Sequence, residues 1–155
     1  MNLNPLSREA NVKTSVKKYF IDALGALVTF DTTLAAPDLR KQGIGAVKQW
    51  YNIDLGEFGR SELNEYMFDA YMLSRQDPEG VKLAEISDTM MDLLVDSLMT
   101  DGMRRIPLYN VSAAPWSQIT SMVVQDIWDA PILDTVEDET KIKIFSVRLR
   151  WGAAM

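Results

Sequence analysis

The sequence predicts an α+β fold, with an antiparallel or mixed β-sheet, an N-terminal helix and one long central helix packed on one face. Three observations predict it. Residues Asp77 to Gly102 carry Leu83, Ile86, Met90, Leu94 and Leu98 at three- and four-residue spacing, the period of one helix face. Most other patterned segments alternate with a period of two, as strands do. The 155 residues, 47% of them hydrophobic, suffice for one domain around one core. Helices and strands that do not alternate regularly along the chain place the helices together on one side of a sheet.

In chain order, Ser7 is placed to cap a first helix whose first turn holds Glu9. Val12, Val16, Tyr19 or Phe20, and Ala23 form its apolar face, and Lys13, Lys17 and Lys18 lie largely on the other. Gly25 ends the pattern, and Ala26 to Phe30 reads as a short strand. Residues 31–46 contain Pro37, Gly43 and Gly45, keep no period and read as a loop. Val47 to Asp54 alternates, turn residues run from Gly56 to Ser61, and Glu65 to Leu73 is apolar on both sides, so the two strands form a hairpin.

The central helix is expected from Glu79 to Asp101, with Asp77 and Pro78 at its start and Gly102 as its stop. Ile106 to Val111 is a strand weakened by Pro107, which suits an edge. Ser117 to Asp129 is a long strand, Pro131 to Asp138 a loop, and Thr140 to Trp151 the last strand. That strand changes phase: Ile142 and Ile144 fall on one side, and Phe145, Val147, Leu149 and Trp151 on the other. The switch predicts either a β-bulge or apolar neighbours on both faces.

Composition narrows the chemistry. The net charge is −6 and the pI about 4.6, against the basic balance of a general nucleic-acid binder. Histidine and cysteine are both absent, which removes the commonest general base, the commonest transition-metal ligand, thiol nucleophiles and disulfides. Carboxylates are the remaining acid–base candidates. Asp88, Asp92 and Asp96 keep a four-residue step on one face of the central helix, which reads as a solvated stripe. Asp38 with Glu139-Thr140-Lys141 matches the acidic-x-lysine pattern of metal-dependent nucleases only across about a hundred positions, a chance-level match. No catalytic, cofactor or metal site is predicted. No run reaches the roughly 20 apolar residues of a membrane span, and Asp22 interrupts the most apolar N-terminal run, so neither a membrane segment nor a signal peptide is expected. The expected address is the cytoplasm, or a particle assembled there.

Surplus aromatic surface is the stronger signal. Trp50, Trp116, Trp128 and Trp151 all lie in or beside predicted strands, with Phe58 in the hairpin loop. One helix layer cannot cover strands that are apolar on both faces, so part of this surface is expected to meet other subunits.

The order of N-terminal helix, Val28-Thr29-Phe30-Asp31, a loop, Trp50-Tyr51-Asn52-Ile53-Asp54 and an acidic-glycine hairpin resembles the tail terminator proteins of long-tailed bacteriophages. Glu65 to Arg75, Asp77, the helix from Val81 to Leu98 and the closing Lys143 to Trp151 extend the resemblance over most of the chain, through degenerate patterns rather than invariant signatures. It implies a subunit that closes into a ring, usually a hexamer, on the last ring of the tail tube. The ring would stop polymerisation and present a docking surface to the neck or head-completion protein. A related role is that of a head–tail connector or neck adaptor, and a carboxylate-based nuclease or hydrolase is the alternative of another class. The implied location is the tail–neck junction of the virion, assembled in the host cytoplasm. No cofactor is implied, and DNA is a partner only by passage through the ring. On this reading Phe58 and Arg60 in the hairpin loop, with Pro131 and Asp134 in the later loop, are expected to dock onto a neighbouring ring. Ile142 and Ile144 are expected between subunits. The Asp88, Asp92 and Asp96 stripe faces solvent or an acidic lumen that repels phosphates.

Overall fold

Three strands of 13 residues dominate the chain: β2 (Leu63–Arg75), β4 (Ser117–Asp129) and β6 (Thr140–Gly152). The computed structural model describes residues 3–24, 49–96, 103–135 and 140–152. With β1 (Gln49–Gly59), β3 (Arg105–Asn110) and the short β5 (Leu133–Thr135) they form an antiparallel sheet in the order β1-β2-β6-β4-β3, β5 pairing with β6. Helices α1 (Glu9–Leu24) and α2 (Val81–Asp92) pack on one face. The general α+β class is the predicted one. The strand expected at Ala26 to Phe30 and the loop at 31–46 lie outside the described residues.

One alternation builds the core. On β2, Tyr66, Phe68, Ala70 and Met72 point to the helices, and their partners across the ladders include Leu149, Val147 and Phe145 on β6 and Tyr51 and Ile53 on β1. Val12, Val16 and Phe20 from α1 and Leu83 and Met90 from α2 complete one cluster with Leu94, Ile106, Leu108, Met122 and Val124, all nearly inaccessible. Phe20 meets Phe68 edge-on at 5.6 Å.

The central helix is shorter than predicted. It ends at Asp92, and Val95 forms an isolated bridge with Met103. The apolar period continues past this point, but the carbonyls that would extend the helix are held by distant donors. The Tyr19 hydroxyl donates to Leu93 O at 2.6 Å, Arg104 Nε to Asp92 O at 2.7 Å and Arg104 N to Leu94 O at 3.0 Å. These contacts satisfy the helix end without further helical turns. The expected positions of Leu98, Met99 and Gly102 lie outside the described residues.

Asp77 acts from outside the helix rather than as its cap. Gly80 is the N-cap residue, at φ 73°, a left-handed conformation natural to glycine. Asp77 Oδ2 accepts from Leu83 N at 2.9 Å and from Ser74 Oγ at 3.0 Å. Burial by itself raises the Asp77 pKa, but these bonds and the N–H groups of Lys82 and Val81 outweigh it, and the net direction is down. A lowered folded pKa stabilises the fold above the unfolded value, and that stabilisation is lost as pH falls through the folded value. Asp77→Asn is expected to cost about 1–2 kcal/mol at neutral pH. It is also expected to flatten the fall in stability below about pH 4, read by urea denaturation across pH.

Three register shifts shape the sheet. β1 advances three residues from Leu55 to Phe58 while β2 advances two, β4 carries an extra residue at Ile119 opposite β3, and another at Gln125 opposite β6. Of the two readings of the β6 phase change, the β-bulge is absent from its pairing with β2, which runs unbroken from Thr140 to Gly152. Instead β6 has apolar neighbours on both faces, and the bulge belongs to β4, where it lets Val124 and Ile127 point to the same side.

Helix α1 also closes an edge. Ser15 Oγ accepts from Tyr109 N at 2.9 Å, and Asn11 Oδ1 accepts from Val111 N at 3.1 Å. Pro107, the preceding residue of the same alternation, has no N–H to offer. A polar pair one helical turn apart, buried against β3, so satisfies the outward donors of an edge strand.

Candidate interaction surface

The acidic stripe is shorter than the sequence implies. Asp88 and Asp92 are exposed on α2, but Asp96 lies beyond the helix end and pairs with Arg104 at 3.6 Å. Among the described residues no group of three or more acidic side chains is arranged to hold a metal ion. Asp38 and Glu139, from the acidic-x-lysine pattern, lie outside the described residues.

Phe58 lies within β1, which runs past the bulge at Gly56 to Gly59, whereas Arg60 opens the turn of residues 60–62 and is exposed there. Phe58 pairs with Tyr66 and packs on Trp151, ring centres 5.7 Å apart. The Arg60 guanidinium lies 4.8 Å from the Phe58 ring, and its Nε donates to Ser7 O at 3.0 Å. Ser7 does not cap α1. Its hydroxyl accepts from Asn64 Nδ2, and the preceding Leu6 O accepts from both Asn64 Nδ2 and Trp151 Nε1. These groups tie the segment before α1 across the end of the sheet.

Pro131 and Ile132 are exposed, Ile132 by 48%. Asp134 lies not in a loop but in β5, paired with Lys141 of β6. Ala130 N donates to Ile144 O at 3.0 Å, so β4 runs on through a short interruption into β5 along the same edge of β6. Ile142 and Ile144 are half-buried on the face turned away from the helices, opposite Leu73 and Tyr71. Trp50 and Leu73 are buried on that face at 1% and 2% exposure, outside the main cluster, with the Arg75 guanidinium 5.2 Å from the Trp50 ring.

Farther along the same face the sheet opens to solvent. Leu63, Met67 and Trp128 are 47%, 43% and 50% exposed. Between them, Arg148 pairs with Asp126 and stacks 5.9 Å from the Trp128 ring, and Arg150 Nε donates to Glu65 at 3.1 Å. Asp69 accepts from Ser146 at 2.7 Å and stands directly opposite Asp54. Burial first, then Asp69 and Asp54, push the Tyr71 phenol pKa up. The sequence marks Trp128 as surplus aromatic and Met67 as part of the second apolar face of β2, but does not single out Leu63. The odd-numbered positions of Leu63 and Met67 on β2 carried the signal, which the apolar character of both strand faces obscured.

On the helix side, Trp116 and Ile21, each 43% exposed, line a surface cavity of about 360 Å³ with Thr14, Lys17, Lys18 and Asp22. Lys18 pairs with Asp22, which raises the lysine pKa, and lies 5.6 Å from the Tyr109 ring. Among the described residues no helix is long and apolar enough to cross a membrane. Neither known protein-family models nor curated protein sequences match this chain.

Proposed function

We propose that the protein is a structural virion subunit, a tail terminator that closes as a ring on the end of a phage tail tube. The ring ends polymerisation and offers its free side to the neck or head-completion protein. The observation that carries this reading is the sheet face turned away from the helices, where Leu63, Met67 and Trp128 are exposed among ion pairs. Exposed Trp128 and Met67 beside Arg148 and Arg150 bring together the aromatic, methionine and arginine side chains in which subunit contacts are enriched. The sequence resemblance supplies the identity of the assembly, and the α+β architecture is compatible with it. In this role the protein catalyses no reaction, and DNA only passes through.

Electron microscopy of particles made without this protein tests the role. The expected result is tails of irregular, extended length. Tails of normal length left unjoined to heads would move the assignment to a neck adaptor. Normal, uniform tails joined to heads would refute both. Titration with magnesium or manganese separates the nuclease alternative, which requires metal binding and a thermal shift.

A further inference from the structure

Two exposed apolar surfaces lie on opposite sides of the subunit, one beside a lysine unpaired among the described residues and the other, among its ion pairs, beside two facing carboxylates. On the helix side, Trp116 and Ile21 are the apolar anchors, and Lys13, Lys17 and Lys18 are the nearby cations. Lys13 pairs with Glu9 at 3.1 Å and Lys18 with Asp22, whereas Lys17 has no ion-pair partner among the described residues. In a chain of net charge −6 this is a local exception. On the open sheet face, Met67 and Trp128 are the anchors. Beside them Asp54 and Asp69 stand directly opposite one another on neighbouring strands. Like charges so placed repel within the subunit, and a cation from outside relieves the repulsion.

We infer that the open sheet face of one copy receives the α1–Trp116 surface of the next, with Lys17 set toward the Asp54–Asp69 pair. The inference rests on the ring reading and names the contact that would build the ring. The two surfaces belong to opposite layers, so each copy uses one surface toward each neighbour. Such a heterologous contact propagates and closes into a ring when its rotation permits. A back-to-back pairing of two sheet faces would set the two Asp54–Asp69 pairs in one contact without supplying the missing cation. It would also stop at a dimer.

Because the chain has no cysteine, crosslinking tests this cleanly. Trp116→Cys and Met67→Cys are combined in one chain and treated with a short bis-maleimide. A ladder of dimer, trimer and higher species is expected from the double variant, and none from either single variant. Dimers from Met67→Cys alone would overturn the proposal in favour of a back-to-back contact. An absent ladder while the wild type sediments as an oligomer would also overturn it and leave the ring reading intact.

Charge reversal gives a second readout. Lys17→Glu and Asp54→Lys are each expected to weaken association about tenfold, and the double reversal to restore most of it. Both residues are solvent-accessible, so folding is retained and verified by circular dichroism. Additive losses without restoration would refute the pairing. A wild-type chain that stays monomeric up to millimolar concentration would refute this contact and leave the terminator role to the tail-length experiment.

Discussion

Truncating Phe68 to alanine is expected to remove about 3–5 kcal/mol of stability, much of what a domain of this size has. Phe68 is 2% exposed at the centre of β2, where three layers of contact meet. It faces Leu55 on β1 and Val147 on β6, and packs against Phe20 from α1 and the Tyr66 ring at 6.3 Å. The walls of the resulting cavity cannot collapse, because two ladders fix the strands on either side and α1 is pinned through Asn11 and Ser15. Phe68→Leu, which keeps most of the volume, is expected to cost less than about 1.5 kcal/mol. The difference between the two urea midpoints measures the cavity, and equal midpoints would show that the site is not packed as described.

Gly56→Ala is expected to cost about 3 kcal/mol, for a reason unrelated to burial. A Cβ at Gly56 would stand 2.3 Å from the carbonyl oxygen of Met67 and 3.2 Å from its carbon. Both are backbone atoms of the paired strand, so no side chain can rotate away. The bulge would have to open, and Phe58, Trp151 and Arg60 would lose their present alignment. Gly59→Ala is the control, since a Cβ there meets nothing within 4 Å. That substitution is expected to stay within about 0.5 kcal/mol of wild type in the same denaturation measurement.

What the sequence made legible follows from the range of the forces involved. Alternation and helical period are local, so Ser117 to Asp129 has the predicted bounds, and α1 buries Val12, Val16 and Phe20 as its spacing implies. The end of α2 was not legible. Leu94 and Leu98 keep the helical period, and what stops the helix is a hydroxyl and a guanidinium that arrive from Tyr19 and Arg104. The bulges were hidden for a similar reason, because an extra residue is defined only against the partner strand. One of them, at Gln125, puts Val124 and Ile127 on the same side of β4. β5 was lost among the charges of residues 131–138, where three paired residues leave too short a pattern to read.

Of the interaction residues, Ile142 and Ile144 lie on the sheet face turned from the helices, the face on which the ring reading depends. Phe58 reads as a loop residue because Gly56 and Gly59 look like turn residues, whereas Arg60 does lie in the turn. In the fold Gly56 instead permits close approach of two backbones. The basic surface beside Trp116 had no sequence signal beyond three lysines on one helix, because the tryptophan that completes it comes from the turn between β3 and β4.

The closure of the β3 edge bears on the order in which the chain is made. The hydrogen bond from Val111 to Asn11 spans 100 residues, and that from Tyr109 to Ser15 spans 94. During synthesis the helix that guards the edge leaves the ribosome long before the edge exists. When β3 emerges, its outward donors find a partner already present in the same molecule rather than in a neighbour on the same message. The β3 edge is thereby withdrawn from pairing with the strands of other copies as they are made.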